Sequence, residues 1–213
     1  MTPQDASKQA RELCNLAPVI PVLVVDDIAH AEPLARALLA GGLPVLEVTL
    51  RTPVALGVIA AMRDVPGGIV GAGTLVTPED VLAAKEAGAK FGVAPGATDS
   101  LLQACEDADL PLLAGAATAT EAMALLERGY DVQKFFPAEA SGGAPALKAI
   151  AGPLPQISFC PTGGVSLKNA AHYLALPNTL CVGGSWVAPQ KLVAAGDWGG
   201  IEELARQASK LKR

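Results

Sequence analysis

The sequence predicts an α/β fold of eight repeated strand–helix units closed on themselves, and three observations carry that expectation. Short apolar runs alternate with Ala- and Leu-rich helical segments along nearly the whole chain. From the second run onward they begin 20 to 25 residues apart, the length of one strand plus one helix. An open doubly wound sheet that binds nucleotides should show Gly-x-Gly-x-x-Gly after its first strand, but Val25-Asp26-Asp27-Ile28 stands there instead. Finally, 213 residues suit one compact barrel with little room for inserted domains. Together these favour a single-domain (β/α)8 TIM barrel.

The elements follow in order. Residues 2–16 read as an extra helix ahead of the first strand, within an N-terminal helical extension over 1–17. Strand-like runs fall at 19–25, 45–51, 69–75, 90–95, 110–117, 131–137, 156–162 and 179–186. Helical patterns between them include 33–40, 78–87, 100–108 and 120–128, with a final helix over 201–212. Gly41, Gly88 and Gly129 stand just past helix ends, where a left-handed residue closes the last turn. Thr77 before Pro78 pairs a good N-cap with proline at the first helical position. No linker or composition shift divides residues 1–213 into two domains.

Composition removes several functions. Hydrophobic residues make up 51% and charged residues only 17%, which excludes a disordered chain. The formal charge of −5 opposes general nucleic-acid binding, which needs a basic face to release counterions. No run approaches the roughly 18 apolar residues of a spanning helix, and the first residues lack the apolar core of a signal peptide. A soluble cytoplasmic protein is expected, with no membrane partner. Cys14, Cys105, Cys160 and Cys181 are far apart without a Cys-x-x-Cys pair, and are expected as small buried hydrophobes. With only His30 and His172, a His-based metal site or a Ser-His-Asp triad has little to work with.

Polar residues occur where a barrel interior should be apolar. In the run 45–51 one face carries Leu46, Val48 and Leu50, and the other Val45, Glu47, Thr49 and Arg51. Period two puts the apolar face on the helices, so Glu47, Thr49 and Arg51 point inward. A carboxylate and a guanidinium there are costly unless paired or used. A buried structural Glu–Arg pair is the plainer alternative to a working site. Lys134 shares a strand face with Val132 and Phe136, near the C-terminal end of its strand. Of the nine lysines it alone lies inside a strand. Barrel active sites form at that end, whereas the competing reading is a snorkelling surface lysine.

An inward lysine with a glutamate and an arginine suggests one chemistry. Lysine amines are almost wholly protonated at neutral pH, but burial and a nearby cation favour the free base. A free amine attacks a ketone to form a Schiff base, which withdraws electrons from the adjacent carbon–carbon bond. The carboxylate would move protons, and the arginine would grip a substrate carboxylate through two parallel hydrogen bonds. Gly163-Gly164 and Gly183-Gly184 follow the seventh and eighth strands, where these barrels recurrently bind phosphate. Each loop is expected to offer bare backbone N–H groups, the first with a helix N-terminus opening directly behind it.

At these residues the sequence resembles a known family. Leu46-Glu47-Val48-Thr49-Leu50-Arg51, Gly71-Ala72-Gly73-Thr74, Lys134-Phe135-Phe136-Pro137-Ala138-Glu139, Pro161-Thr162-Gly163-Gly164 and Gly183-Gly184-Ser185-Trp186 closely resemble the bacterial 2-keto-3-deoxy-6-phosphogluconate aldolases. That family also includes 4-hydroxy-2-oxoglutarate aldolases. The motifs run in order from about Pro18 to the C-terminus. The resemblance implies a cofactor-free, metal-free class I aldolase, usually homotrimeric, acting in the Entner–Doudoroff pathway on a small keto-acid. It puts the nucleophile on Lys134 and the proton-transferring glutamate on Glu47. Pyruvate binding falls on Arg51 and Thr74, phosphate contacts on Gly163, Gly164 and Ser185, and the pocket lining on Phe136 and Pro95. One departure is Ala114-Gly115, where the family commonly has proline before the glycine.

Three rivals stand beside this reading. A metal-dependent pyruvate aldolase would need an oxygen-ligand cluster, and Glu47 has no evident inward acidic partner. A different phosphate-binding barrel, such as an isomerase, would keep the glycine loops without needing Lys134. A sugar-phosphate sensor would keep the pocket without turnover.

Overall fold

Eight short apolar runs become eight parallel strands, ordered β7-β6-β5-β4-β3-β2-β1-β8 around a nearly closed (β/α)8 TIM barrel. The computed structural model describes residues 1–213. The strands are β1 (Val19–Leu23), β2 (Val45–Thr49), β3 (Ile69–Gly73), β4 (Gly92–Val93), β5 (Leu112–Ala116), β6 (Val132–Phe135), β7 (Ser158–Pro161) and β8 (Val182–Gly184). Between β7 and β8 the ladder thins to two isolated bridges, Phe159 with Thr179 and Thr162 with Gly183. The helices are α1 (Pro3–Asn15), α2 (Ala31–Ala40), α3 (Ala55–Met62), α4 (Pro78–Ala87), α5 (Asp99–Asp107), α6 (Ala119–Arg128), α7 (Gly143–Ala151), α8 (Ala170–Leu174), α9 (Gln190–Ala195) and α10 (Trp198–Ser209).

Local chemistry explains the boundaries. Thr77 and Asp80 form a reciprocal capping box at α4, Thr118 and Glu121 another at α6, and left-handed Gly88 and Gly129 close both helices. After α2 the left-handed residue is Gly42 rather than Gly41, which stays right-handed. The fourth strand, Gly92–Val93, is much shorter than its apolar run, and at its C-terminal side Pro95 has no N–H to extend the ladder. The last helix begins three residues before the expected start, where Asp197 accepts from the Gly200 N–H.

Register decides what faces inward. Glu47 aligns with Val22 and Gly71, Gly73 with Val93, Val93 with Leu113, Gly115 with Lys134, and Lys134 with Cys160. All of these share the inner face. The lower barrel is an apolar plug of Ile20, Val45, Phe91, Val93, Leu113 and Val132 with Cys160 and Cys181, and α1 seals it with Ala10 and Cys14. A second, larger core joins the outer strand faces to the helices. All four cysteines are buried and unpaired, as expected, but three of them converge, with Cys160 and Cys181 Sγ 3.5 Å apart. No helix is long and apolar enough to cross a membrane.

Candidate active site

The polar residues of the barrel gather above the plug, at the C-terminal ends of the strands. Leu46 and Val48 are buried against the helices, which turns Glu47 inward. On the opposite wall Gln133 and Phe135 take the helix side: Gln133 Nε2 donates to Ala122 O and Tyr130 O, and Phe135 packs edge-on to Phe159. Lys134 therefore faces Glu47 across the lumen, with Nζ 3.7 Å from Oε1. The side chains are only 4% and 3% exposed. This is an ion-pair distance and too long for a hydrogen bond. Burial pushes the Glu47 carboxyl up, with Lys134 the strongest opposing influence. Lys134 Nζ also lies 5.0 Å from the centre of the Phe136 ring, within cation–π range.

Glycines make the room. A Cβ at Gly73 would stand 2.2 Å from Glu47 Oε1, so the carboxylate occupies the space a side chain would take. At Gly115 a Cβ would meet the backbone of Pro95 at 2.3 Å. Pro95 thus sits two strands from Lys134, over the glycine paired with it, and outside the cavity lining. Thr49 is also inward, but its hydroxyl is committed to Leu23 O at 2.8 Å.

Arg51 lies past the end of β2, exposed at the rim, and its Nε donates to Thr74 Oγ1 at 3.3 Å. Strict alternation puts Thr74 with Val70 and Ala72, which pack outward against the helices. Its φ of 64° breaks the alternation and brings the hydroxyl to Arg51. A β-branched residue in that region is a true outlier, and such strain clusters at functional sites.

The glycine loop after β7 supplies the far wall. Gly163 and Gly164 have φ of 99° and 78°, a left-handed course open to glycine. The N–H groups of Gly163, Gly164 and Ser185 make no hydrogen bond within the protein. The expected helix directly behind Gly163-Gly164 is absent. The left-handed glycines interrupt helical geometry, Asn169 turns back to accept from the Ser166 N–H, and the five-residue α8 starts only at Ala170. The N–H groups thus form a bare backbone concavity without a helix dipole. A cavity of about 330 Å³ joins Lys134, Arg51, Phe136, Gly163, Gly164 and Ser185. Sequence reasoning missed Val22, Val24, Thr162 and Val165 in its lining. Thr162 was legible from register, two residues past inward Cys160. A larger surface groove, about 440 Å³, lies by α5 and α6, but Glu121 there is a helix cap and Arg128 is paired with Glu106.

Comparison with known proteins settles the family. A family model described as KDPG and KHG aldolase matches residues 10–204. The chain belongs to the KDPG/KHG aldolase family. The 2-dehydro-3-deoxy-phosphogluconate aldolase of Pseudoalteromonas atlantica is 51% identical over 200 residues, covering 93% of each chain. Among solved structures, the 2-keto-3-deoxy-6-phosphogluconate aldolase of Zymomonas mobilis with 3-phosphoglycerate superposes with a TM-score of 0.92 at 49% identity, covering 97% of this chain and 98% of the other. The KDPG aldolase of Legionella pneumophila, with pyruvate captured as a covalent carbinolamine, gives 0.91 at 46% identity, covering 94% and 98%. Proteins of this KDPG/KHG aldolase group are carbon–carbon lyases, and this chain is one of them.

Proposed function

We propose that this aldolase works through a Schiff base on Lys134, reversibly cleaving 2-keto-3-deoxy-6-phosphogluconate to pyruvate and glyceraldehyde 3-phosphate. The observation that carries the reading is the buried Lys134–Glu47 pair at 3.7 Å, opening onto a cavity with bare N–H groups at its other end. The Lys134 amine attacks the C2 carbonyl, and loss of water from the carbinolamine gives the iminium. Glu47 takes the proton from the C4 hydroxyl as the C3–C4 bond breaks and its electrons pass to the iminium, leaving an enamine. Glu47 then returns that proton to C3, and water releases pyruvate from the lysine.

Arg51 and Thr74 hold the substrate carboxylate in this reading, and Phe136 and Pro95 border its carbon chain. Gly163, Gly164 and Ser185 take the phosphate through N–H groups and one hydroxyl. The pyruvate carbinolamine of the Legionella relative and the 3-phosphoglycerate of the Zymomonas relative support the two halves of the site. Because the phosphate cradle is built from dipoles, 4-hydroxy-2-oxoglutarate is also cleaved, at lower efficiency. No metal or organic cofactor takes part. A homotrimer in the cytoplasm completes the proposal. Exposed Ile28 and Leu56, adjoining through Gly57, offer apolar surface to a second copy, and sedimentation would measure the subunit number.

The test is pyruvate with borohydride, followed by intact mass and peptide mapping. One reduced pyruvate should map to Lys134 and vanish in Lys134→Ala. Labelling at exposed Lys90 or Lys168 would overturn the assignment.

A further inference from the structure

The glycine loop is braced from behind by groups that do not line the cavity. Three successive carbonyls of the loop are tied back on its outer side. Thr162 O accepts from the Ala138 N–H at 2.8 Å, Gly163 O from the Glu139 N–H at 3.0 Å, and Gly164 O from Asn169 Nδ2 at 3.2 Å. Peptide planarity then fixes the next N–H in the opposite sense, so pinning these carbonyls aims the N–H groups of Gly163 and Gly164.

Glu139 is the hub of this brace. Its stem lies against Gly164, where a Cβ would stand 2.7 Å from both Glu139 Cβ and Cγ. Its carboxylate accepts a hydrogen bond from the hydroxyl of Tyr173, a residue of α8 only 1% exposed. Burial and the neighbouring carboxylate hold the Tyr173 phenol above its ordinary range, so it remains a donor at working pH. Glu139 also lies in the turn that directly follows the strand carrying Lys134. Glu139 thus ties the chain leaving Lys134 to the loop with the bare N–H groups, by its backbone bond to Gly163 O and by the side-chain hydrogen bond it accepts from Tyr173.

We propose that Tyr173 and Glu139 are a positioning pair that fixes the aim and distance of the Gly163–Gly164 N–H groups relative to Lys134, and so sets the preference for phosphorylated over unphosphorylated substrates. The proposal rests on the reading of this loop as the phosphate cradle.

The experiment compares wild type, Tyr173→Phe, Glu139→Ala and Glu139→Gln on 2-keto-3-deoxy-6-phosphogluconate and on 4-hydroxy-2-oxoglutarate, with inorganic phosphate as competitive inhibitor. Tyr173→Phe and Glu139→Ala should raise KM for the phosphorylated substrate roughly tenfold with little change in kcat, about the effect of one lost hydrogen bond to a charged group. Phosphate inhibition should weaken in parallel, while kinetics on 4-hydroxy-2-oxoglutarate stay unchanged. Glu139→Gln keeps an acceptor for Tyr173 and should behave like wild type. Equal losses on both substrates would make the pair a folding brace and overturn the proposal. So would a wild type that discriminates by phosphate beside a Tyr173→Phe variant that discriminates just as well. If the wild type treats both substrates alike and ignores phosphate, the cradle reading itself falls and takes the pair with it.

Discussion

Glu47 Oε1 faces Lys134 Nζ across the lumen at 3.7 Å, and neither group has another charged partner inside the barrel. Each would be costly to bury alone, and each offsets the other's desolvation. Burial nonetheless outweighs Lys134 and lifts the Glu47 carboxyl above its ordinary value of 4.5. In its proposed role as base Glu47 must be ionised, so the acid limb of kcat/KM should lie above that value. Glu47→Gln should abolish the limb and lose about 10²–10⁴ in turnover, while still trapping pyruvate on Lys134. Near-normal turnover would leave Glu47 a structural partner.

The same shift has a stability consequence. Between 4.5 and the raised value, the folded Glu47 keeps a proton that the unfolded chain has released. Stability therefore falls as pH rises through that window and levels off above it. Denaturant unfolding across a pH series should show a less negative slope for Glu47→Gln. An unchanged slope would mean that burial does not perturb the group.

Gly73 is expected to be as necessary as the glutamate it adjoins. A methyl 2.2 Å from Oε1 forces Glu47 out of line with Lys134. Gly73→Ala should fold, by circular dichroism, yet lose at least about tenfold in kcat, since 1.36 kcal/mol of barrier suffices for that. Full turnover would show that the carboxylate has freedom to move aside.

These examples mark what was legible in the sequence. The repeat length announced the barrel, and period two placed Glu47, Arg51 and Lys134, because a strand with one apolar face has only one way to turn. Period two failed at Thr74, where a single left-handed φ returns the side chain to Arg51. Gly73 went unread as a site residue because its contribution is an absence of atoms, visible only beside Glu47. The helix expected behind Gly163-Gly164 failed for a similar reason. Glycine pairs signal a turn but not its handedness, and here both are left-handed.

Thr74 separates strain from binding. Its φ of 64° costs a β-branched residue about 1–3 kcal/mol, part of which Gly recovers. Thr74→Gly should raise the unfolding midpoint while weakening affinity for pyruvate-like inhibitors, because Arg51 Nε loses its acceptor at 3.3 Å. Arg51→Lys should weaken the same inhibitors without the gain in stability, since an ammonium lacks the planar fork. A Thr74→Gly variant that binds normally would locate the carboxylate elsewhere.

Gly163 and Gly164 should respond unequally to alanine although both have positive φ. At Gly163 the added methyl meets the Phe136 ring at 3.2 Å and the Pro137 Cα at 3.3 Å, contacts that a shift of a few tenths of an ångström relieves. At Gly164 it meets the Glu139 stem at 2.7 Å, and that stem is held by the Tyr173 hydrogen bond and by its own backbone bond to Gly163. Both variants carry the left-handed penalty of roughly 1–2 kcal/mol, but only Gly164→Ala also pushes against a fixed neighbour. Gly164→Ala should therefore be the less stable to denaturant. It should also show the larger rise in KM for the phosphorylated substrate, with 4-hydroxy-2-oxoglutarate cleavage nearly spared. Equal effects of the two substitutions on both substrates would mean that the loop supports the barrel instead of reading phosphate.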